Sequence, residues 1–107
     1  MSKPIKNLKL FNDLCAVEDI LIKRGWCKNA FVDAISGRVC LLGAATIVTK
    51  DTPGLMSDER FFAIMNALVS AIKCEGSSLA ISLFNDDPKT TLDDVLGKLR
   101  EAREKLL

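Results

Sequence analysis

The chain contains no histidine and no tyrosine. The first absence removes the commonest general base and the commonest metal ligand together. Any catalysis would then rest on Cys, Asp, Glu, Lys, Ser or Thr. No C-x-x-C pair occurs either. The four cysteines, Cys15, Cys27, Cys40 and Cys74, stand 12, 13 and 34 residues apart. A zinc site would need all four thiolates gathered from scattered elements, so no metal is expected. Charge of one sign is also lacking: 15 basic against 14 acidic residues leaves a net +1. That balance gives no reason to expect nucleic acid or an anionic membrane as partner. The longest apolar run, Val39 to Val48, is broken by Gly43 and Thr46 and is about half the length that spans a bilayer. The opening "MSKPIKNLKLF" lacks the apolar core and small-residue cleavage site of a secretory leader. The expectation is a cytoplasmic protein with reduced thiols.

What is present describes one small globular domain. A chain of 107 residues, 49% of them hydrophobic, suffices for a single modest core. The domain is read as residues 1–107, with 1–6 as an N-terminal arm. Leu10, Leu14, Val17 and Leu21 recur at helical spacing between Asn7, a good N-cap, and Gly25, a good C-terminal stop. Residues 26–39 lose that period, and "ISGR" at 35–38 reads as a turn about Gly37. Its flanks would pair as a short hairpin. Residues 40–49 are small and apolar and are read as helix, against a mild strand preference from Thr46, Ile47 and Val48. Pro53-Gly54 punctuates a loop. Ser57 opens a long helix ending near Gly76, whose stripe of Phe61, Met65, Leu68 and Ile72 is widened by Phe62 and Val69. Its apolar girth exceeds what a four-helix monomer needs to bury and hints at a partner. Residues 78–84 fit strand or helix. Asp87 precedes proline and breaks the chain. Thr91, with Asp94 three residues on, caps a last helix along Leu92, Val95, Leu99, Ala102 and Leu106. The fold class is therefore mainly α: a bundle of about four helices with an irregular or short β-hairpin segment near residues 26–39.

Several residues invite a functional reading, and each also has a packing reading. Cys27 and Cys40 bracket the turn and would bond if it brought them together. Cys40, near a helix start and two residues from Arg38, is the better nucleophile candidate; packing beside Gly43 is the favoured account. Trp26 is either a lid on the core, its indole N–H on a backbone carbonyl, or an aromatic platform helped by Lys28 and Arg38. Asn85, Asp86 and Asp87 either hold a cation or make a turn before Pro88, and the turn is favoured. In that role Asn85 or Asp86 would hydrogen-bond back to the Gly25-Trp26-Cys27 loop.

These residues carry a resemblance. Gly25-Trp26-Cys27, Ala30, Gly37, Cys40, Gly43-Ala44, Phe84-Asn85-Asp86, Thr91 and the run from Val95 to Ala102 occur in an order that resembles a family of small bacterial and phage proteins of unknown function. The resemblance covers roughly residues 8–104. It implies a compact helical domain, and it implies no activity.

The functional expectation is a non-enzymatic protein-interaction module whose partner is a second copy or another protein. The alternative is a small-molecule, nucleotide-like ligand held by Trp26, Lys28, Arg38, Asn85 and Asp86. On either reading Gly25, Trp26, Cys27, Gly37, Cys40, Gly43 and Ala44 form the structural motif, and no cofactor is required.

Overall fold

A computed structural model describes residues 6–50, 57–73 and 78–107, without the side chains of residues 57, 58, 78 and 79. Among these residues five helices run in order: α1 (Leu8–Arg24), α2 (Leu41–Lys50), α3 (Ser57–Ile72), α4 (Ser78–Asp86) and α5 (Leu92–Glu104). The expected Pro53-Gly54 loop, the Gly76 terminus and Cys74 lie outside the described residues.

The termini that the sequence marked are built from the residues named. Asn7 Oδ1 accepts the Leu10 N–H at 3.1 Å and caps α1. Gly25 closes α1 with φ +89°, its N–H on the Leu21 carbonyl. Thr91 and Asp94 exchange side chain-to-backbone hydrogen bonds, a complete capping box at the start of α5.

Two expectations are corrected. The described residues form five helices, not about four, because residues 78–86 are helical. Period alone could not separate a short buried helix from a strand there; packing against α2 and α3 makes α4 a helix. The hairpin reduces to isolated bridges. Val39 pairs in parallel with Trp26 and antiparallel with Val32, and nothing extends either pairing. The chain enters α2 at Leu41, which leaves no residues for a longer ladder.

Helix α3 is central: it packs against each of the other four. Its wide girth is therefore mostly absorbed by the core. Ile64, Met65, Leu68 and Ala71 are buried, and Phe61, Ala67, Val69 and Ile72 pack against them. Phe62 alone is an exposed large apolar side chain among the described residues of α3. The sequence-based hint of a partner on this helix came from assuming fewer neighbours than it has.

Helix α2 is buried nearly all round, which suits its small residues. Thr46 and Thr49 fit because each hydroxyl donates to the carbonyl four residues back, at 2.9 and 3.1 Å. That local bond satisfies a polar group where strand propensity would otherwise have told. Among the described residues three ion pairs tie α1 to its neighbours, the longest being Arg100–Glu18 at 3.7 Å. Asp13 takes both Nε (3.0 Å) and Nη2 (2.6 Å) of Arg60 on α3. Glu18 takes Nη1 of Arg103 on α5 at 2.9 Å.

Candidate functional site

The site begins with an asparagine that has no access to water. Asn85, in the last turn of α4, is 1% exposed. A buried amide must satisfy one carbonyl and two N–H groups or incur a desolvation penalty. Asn85 does so in full. Its Oδ1 accepts the Trp26 indole N–H at 2.7 Å and the Leu41 backbone N–H at 3.0 Å. Its Nδ2 donates to the Cys27 carbonyl at 3.1 Å and to Asp86 Oδ1 at 2.9 Å. One side chain thus binds the loop after α1, the start of α2 and the end of α4.

Asp86 extends the knot. Its Oδ1 also accepts the Asn29 N–H at 2.8 Å. Asn29 sits at φ +65°, a left-handed conformation that asparagine tolerates better than most residues. Lys28 reaches over the same junction, 5.3 Å from the centre of the Trp26 ring, and donates to the Asp87 carbonyl at 2.7 Å. The structure therefore brings together Trp26, Lys28, Asn85 and Asp86. The hydrogen bonding from Asn85 and Asp86 back to the Trp26 loop is present. The Trp26 N–H meets a side-chain amide, not the expected backbone carbonyl.

Arg38 is the member left out. Its side chain is exposed and lies against Gly25, where a Cβ would come within 2.9 Å of Arg38 Cγ. Its backbone joins the loop: the carbonyl accepts the Asp33 N–H and the Cys27 thiol, and the N–H donates to Ser36 Oγ at 3.2 Å.

Cys40 caps α2. It is buried, its carbonyl accepts the Ala44 N–H, and its Sγ accepts the Gly43 N–H at 3.2 Å, the bond a serine makes at this position. Burial raises the thiol's pKa, while the Gly43 bond offsets this in part. A nucleophilic thiolate requires the opposite balance. Burial likewise raises the Cys27 thiol, helped by its neighbours Cys40 and Asp33. Both cysteines are free thiols, so the disulfide considered from the sequence is not formed. Among the described residues no cluster of His, Cys, Asp or Glu is arranged to hold a metal ion.

Gly43 shows why small residues follow Cys40. A Cβ built there falls on the carbonyl oxygen of Phe31 and 3.0 Å from its carbon. The same Phe31 carbonyl accepts the Cys40 N–H at 3.1 Å. The loop backbone is thus seated directly on the first turn of α2.

The sequence reading missed what this seat displays. The Phe31 side chain is 62% exposed, Val32 45% and Ile35 99%. Asp33 orders the turn between them: its Oδ1 accepts the Ile35 and Ser36 N–H groups at 2.8 and 3.2 Å. These two bonds hold its carboxyl below the ordinary carboxylate range. Phe31 divides two hollows. One, of about 440 Å³, is lined by Asn29, Ala30, Cys40, Ser82 and Asp86. The other, of about 600 Å³, lies between Val32, Arg24 and one stripe of α2.

Over residues 11–105 the chain matches the model of a family described as one of unknown function (DUF6197). No curated protein matches it, and no solved structure does. No helix among the described residues is long and apolar enough to cross a membrane.

Proposed function

The chain belongs to this family of unknown function, and from its own residues we propose that it is a non-enzymatic protein-interaction module working through the Phe31–Ile35 turn. The carrying observation is the exposure of three large apolar side chains within five residues of an ordered turn. Single exposed apolar residues are ordinary, but a cluster held at one place marks a surface for a partner. Fully burying an exposed side chain of this kind is worth roughly 1.5–3 kcal/mol; a partner would recover nearly all of that at Ile35 and part of it at Phe31 and Val32. Support for the non-enzymatic half is that Cys40, the strongest nucleophile candidate, is committed to capping α2 and carries a raised pKa.

The test places a photo-crosslinking residue at Ile35 in cells, with Asn66, exposed on α3, as the control position. A defined adduct from position 35, weakened by Phe31→Ser, is expected. An adduct of twice the chain mass would identify the partner as a second copy. Adducts no more frequent from position 35 than from position 66 would sink the proposal.

The small-ligand alternative keeps one supporting feature, the hollow of about 440 Å³ beside Asp86 and Cys40. Against it, Trp26 and Asn85 are occupied with each other and Arg38 faces elsewhere. Native mass spectrometry of the purified protein separates the two readings: a retained mass of a few hundred daltons would favour the ligand.

A further inference from the structure

We infer that the partner of this turn is an extended, acidic segment of another protein, which adds as a strand to the edge at Val32 and lies in the groove against α2. The inference rests on the interaction-module reading and specifies what that face takes.

Backbone geometry supplies the first argument. Val32 and Val39 are an antiparallel pair flanked by the bonds Asp33 N–H to Arg38 carbonyl (2.8 Å) and Cys40 N–H to Phe31 carbonyl (3.1 Å). In a pair bonded through its neighbours, the N–H and C=O of the paired residue itself point away from its partner. The backbone groups of Val32 therefore face outward, and neither has a hydrogen-bond partner among the described residues. Trp26 fills the other side of Val39, so Val32 is the open side of these two isolated bridges. An open edge is a template for an added strand.

The groove supplies the second. Gly43, Thr46, Ile47 and Lys50 follow helical spacing along α2 and form one wall, with Phe31 and Val32 opposite. Its volume of about 600 Å³ lies within the range of binding clefts, enough for apolar side chains projecting from an extended chain.

Charge supplies the third. Among the described residues, the lining of the groove includes the cations Arg24 and Lys50 and no acidic residue. Arg24 is steadied by its Nε–H on the Gly37 carbonyl at 3.2 Å. Neither cation has a carboxylate partner among the described residues. A segment with carboxylates flanking an apolar residue would match them, whereas a basic segment would be repelled. A lipid surface fits less well, because the groove is concave.

The experiment titrates the full-length, isotope-labelled chain with a blocked heptapeptide alternating glutamate with isoleucine or valine, and follows backbone amide signals. Three comparisons accompany it: the same peptide with lysine for glutamate, the peptide N-methylated at its centre, and vesicles containing phosphatidylserine. The expected result is a shift of the Val32 amide together with Ile47 and Lys50. The lysine and N-methyl peptides should bind at least about tenfold more weakly. The R24E/K50E variant, changed only at exposed positions, should lose a similar factor while its spectrum stays folded. Equal binding of the lysine peptide, shifts away from Val32 and α2, or capture by vesicles without peptide binding would overturn the inference. Cross-linking from position 35 that persists while the acidic peptide fails would overturn only this assignment. Loss of both would overturn the interaction-module reading as well.

Discussion

The loop between α1 and α2 has two halves that treat their residues in opposite ways. From Trp26 to Asn29, side chains and backbone turn inward onto Asn85, Asp86 and Asp87 and are held by four hydrogen bonds of 2.7–3.1 Å. From Phe31 to Ile35, large apolar side chains turn outward, Ile35 almost wholly and Phe31 and Val32 in part. Phe31 shows both treatments in one residue: its carbonyl is seated on α2 while its ring stands in water. The difference teaches that the inner half fixes where the outer half is displayed. A turn that wandered would incur an ordering cost each time it met a partner, and one already held does not.

The largest effect should come from breaking the inner half. Asn85→Ala would orphan the buried Leu41 N–H and the half-buried Trp26 indole N–H and Cys27 carbonyl. With roughly 1–3 kcal/mol for each unsatisfied group, a loss of about 4 kcal/mol is expected in denaturant unfolding. A loss below about 1 kcal/mol would mean that water replaces the amide and that the knot is not what holds the loop.

Next is the seat itself. Gly43→Ala would gain about 1 kcal/mol from helix propensity alone. Here it should instead lose about 1–3 kcal/mol through overpacking against the Phe31 carbonyl. Gly97 is the matched control: it is exposed on α5, and a Cβ added there would meet nothing within 4 Å. Gly97→Ala should stabilise. If both changes stabilise, the loop does not press on α2.

The outer half should respond to acid without the fold following. The Asp33 carboxyl is held below its ordinary range by the Ile35 and Ser36 N–H groups. Its contribution is complete above the ordinary carboxylate range and disappears as pH falls through the lowered value. The Ile35 and Ser36 amide signals should titrate with that midpoint, and Asp33→Asn should flatten the titration.

The smallest effect is the sharpest contrast. Ile35→Ser should change stability by no more than about 0.5 kcal/mol, as for surface changes in general, because the side chain is 99% exposed. The same change should cut the adduct formed through the turn when the crosslinker is moved to Val32. A marked loss of stability would show that Ile35 is covered in solution.

Much of this contrast could be read in the sequence on one side only. Caps and stripes are local, so Asn7, Gly25, Thr91 and the α5 stripe announced themselves by spacing. The partnership of the Trp26 loop with Asn85 or Asp86 follows from the joint occurrence of the Gly25-Trp26-Cys27 and Phe84-Asn85-Asp86 motifs. The outward half was hidden by its own composition: phenylalanine, valine and isoleucine spell core in any one-dimensional reading, and nothing local says that Ile35 points away. The Asp13–Arg60 pair was hidden for the reverse reason. Its members are 47 residues apart and look like ordinary helix-surface charges until α1 and α3 are laid together.

Asn85 also sets terms for how this molecule tolerates change. Its contacts to Cys27 and Leu41 are with peptide groups, which every residue except proline offers in full. Those two neighbours are therefore free, as far as the knot is concerned, to vary in side chain. Position 85 has no such latitude. Aspartate lacks the donors, glutamine is a methylene too long, and serine cannot span three segments. A single position with an alphabet of one letter leaves the loop around it comparatively free to be respelled, and the displayed turn to be refitted to a new partner without refolding the protein.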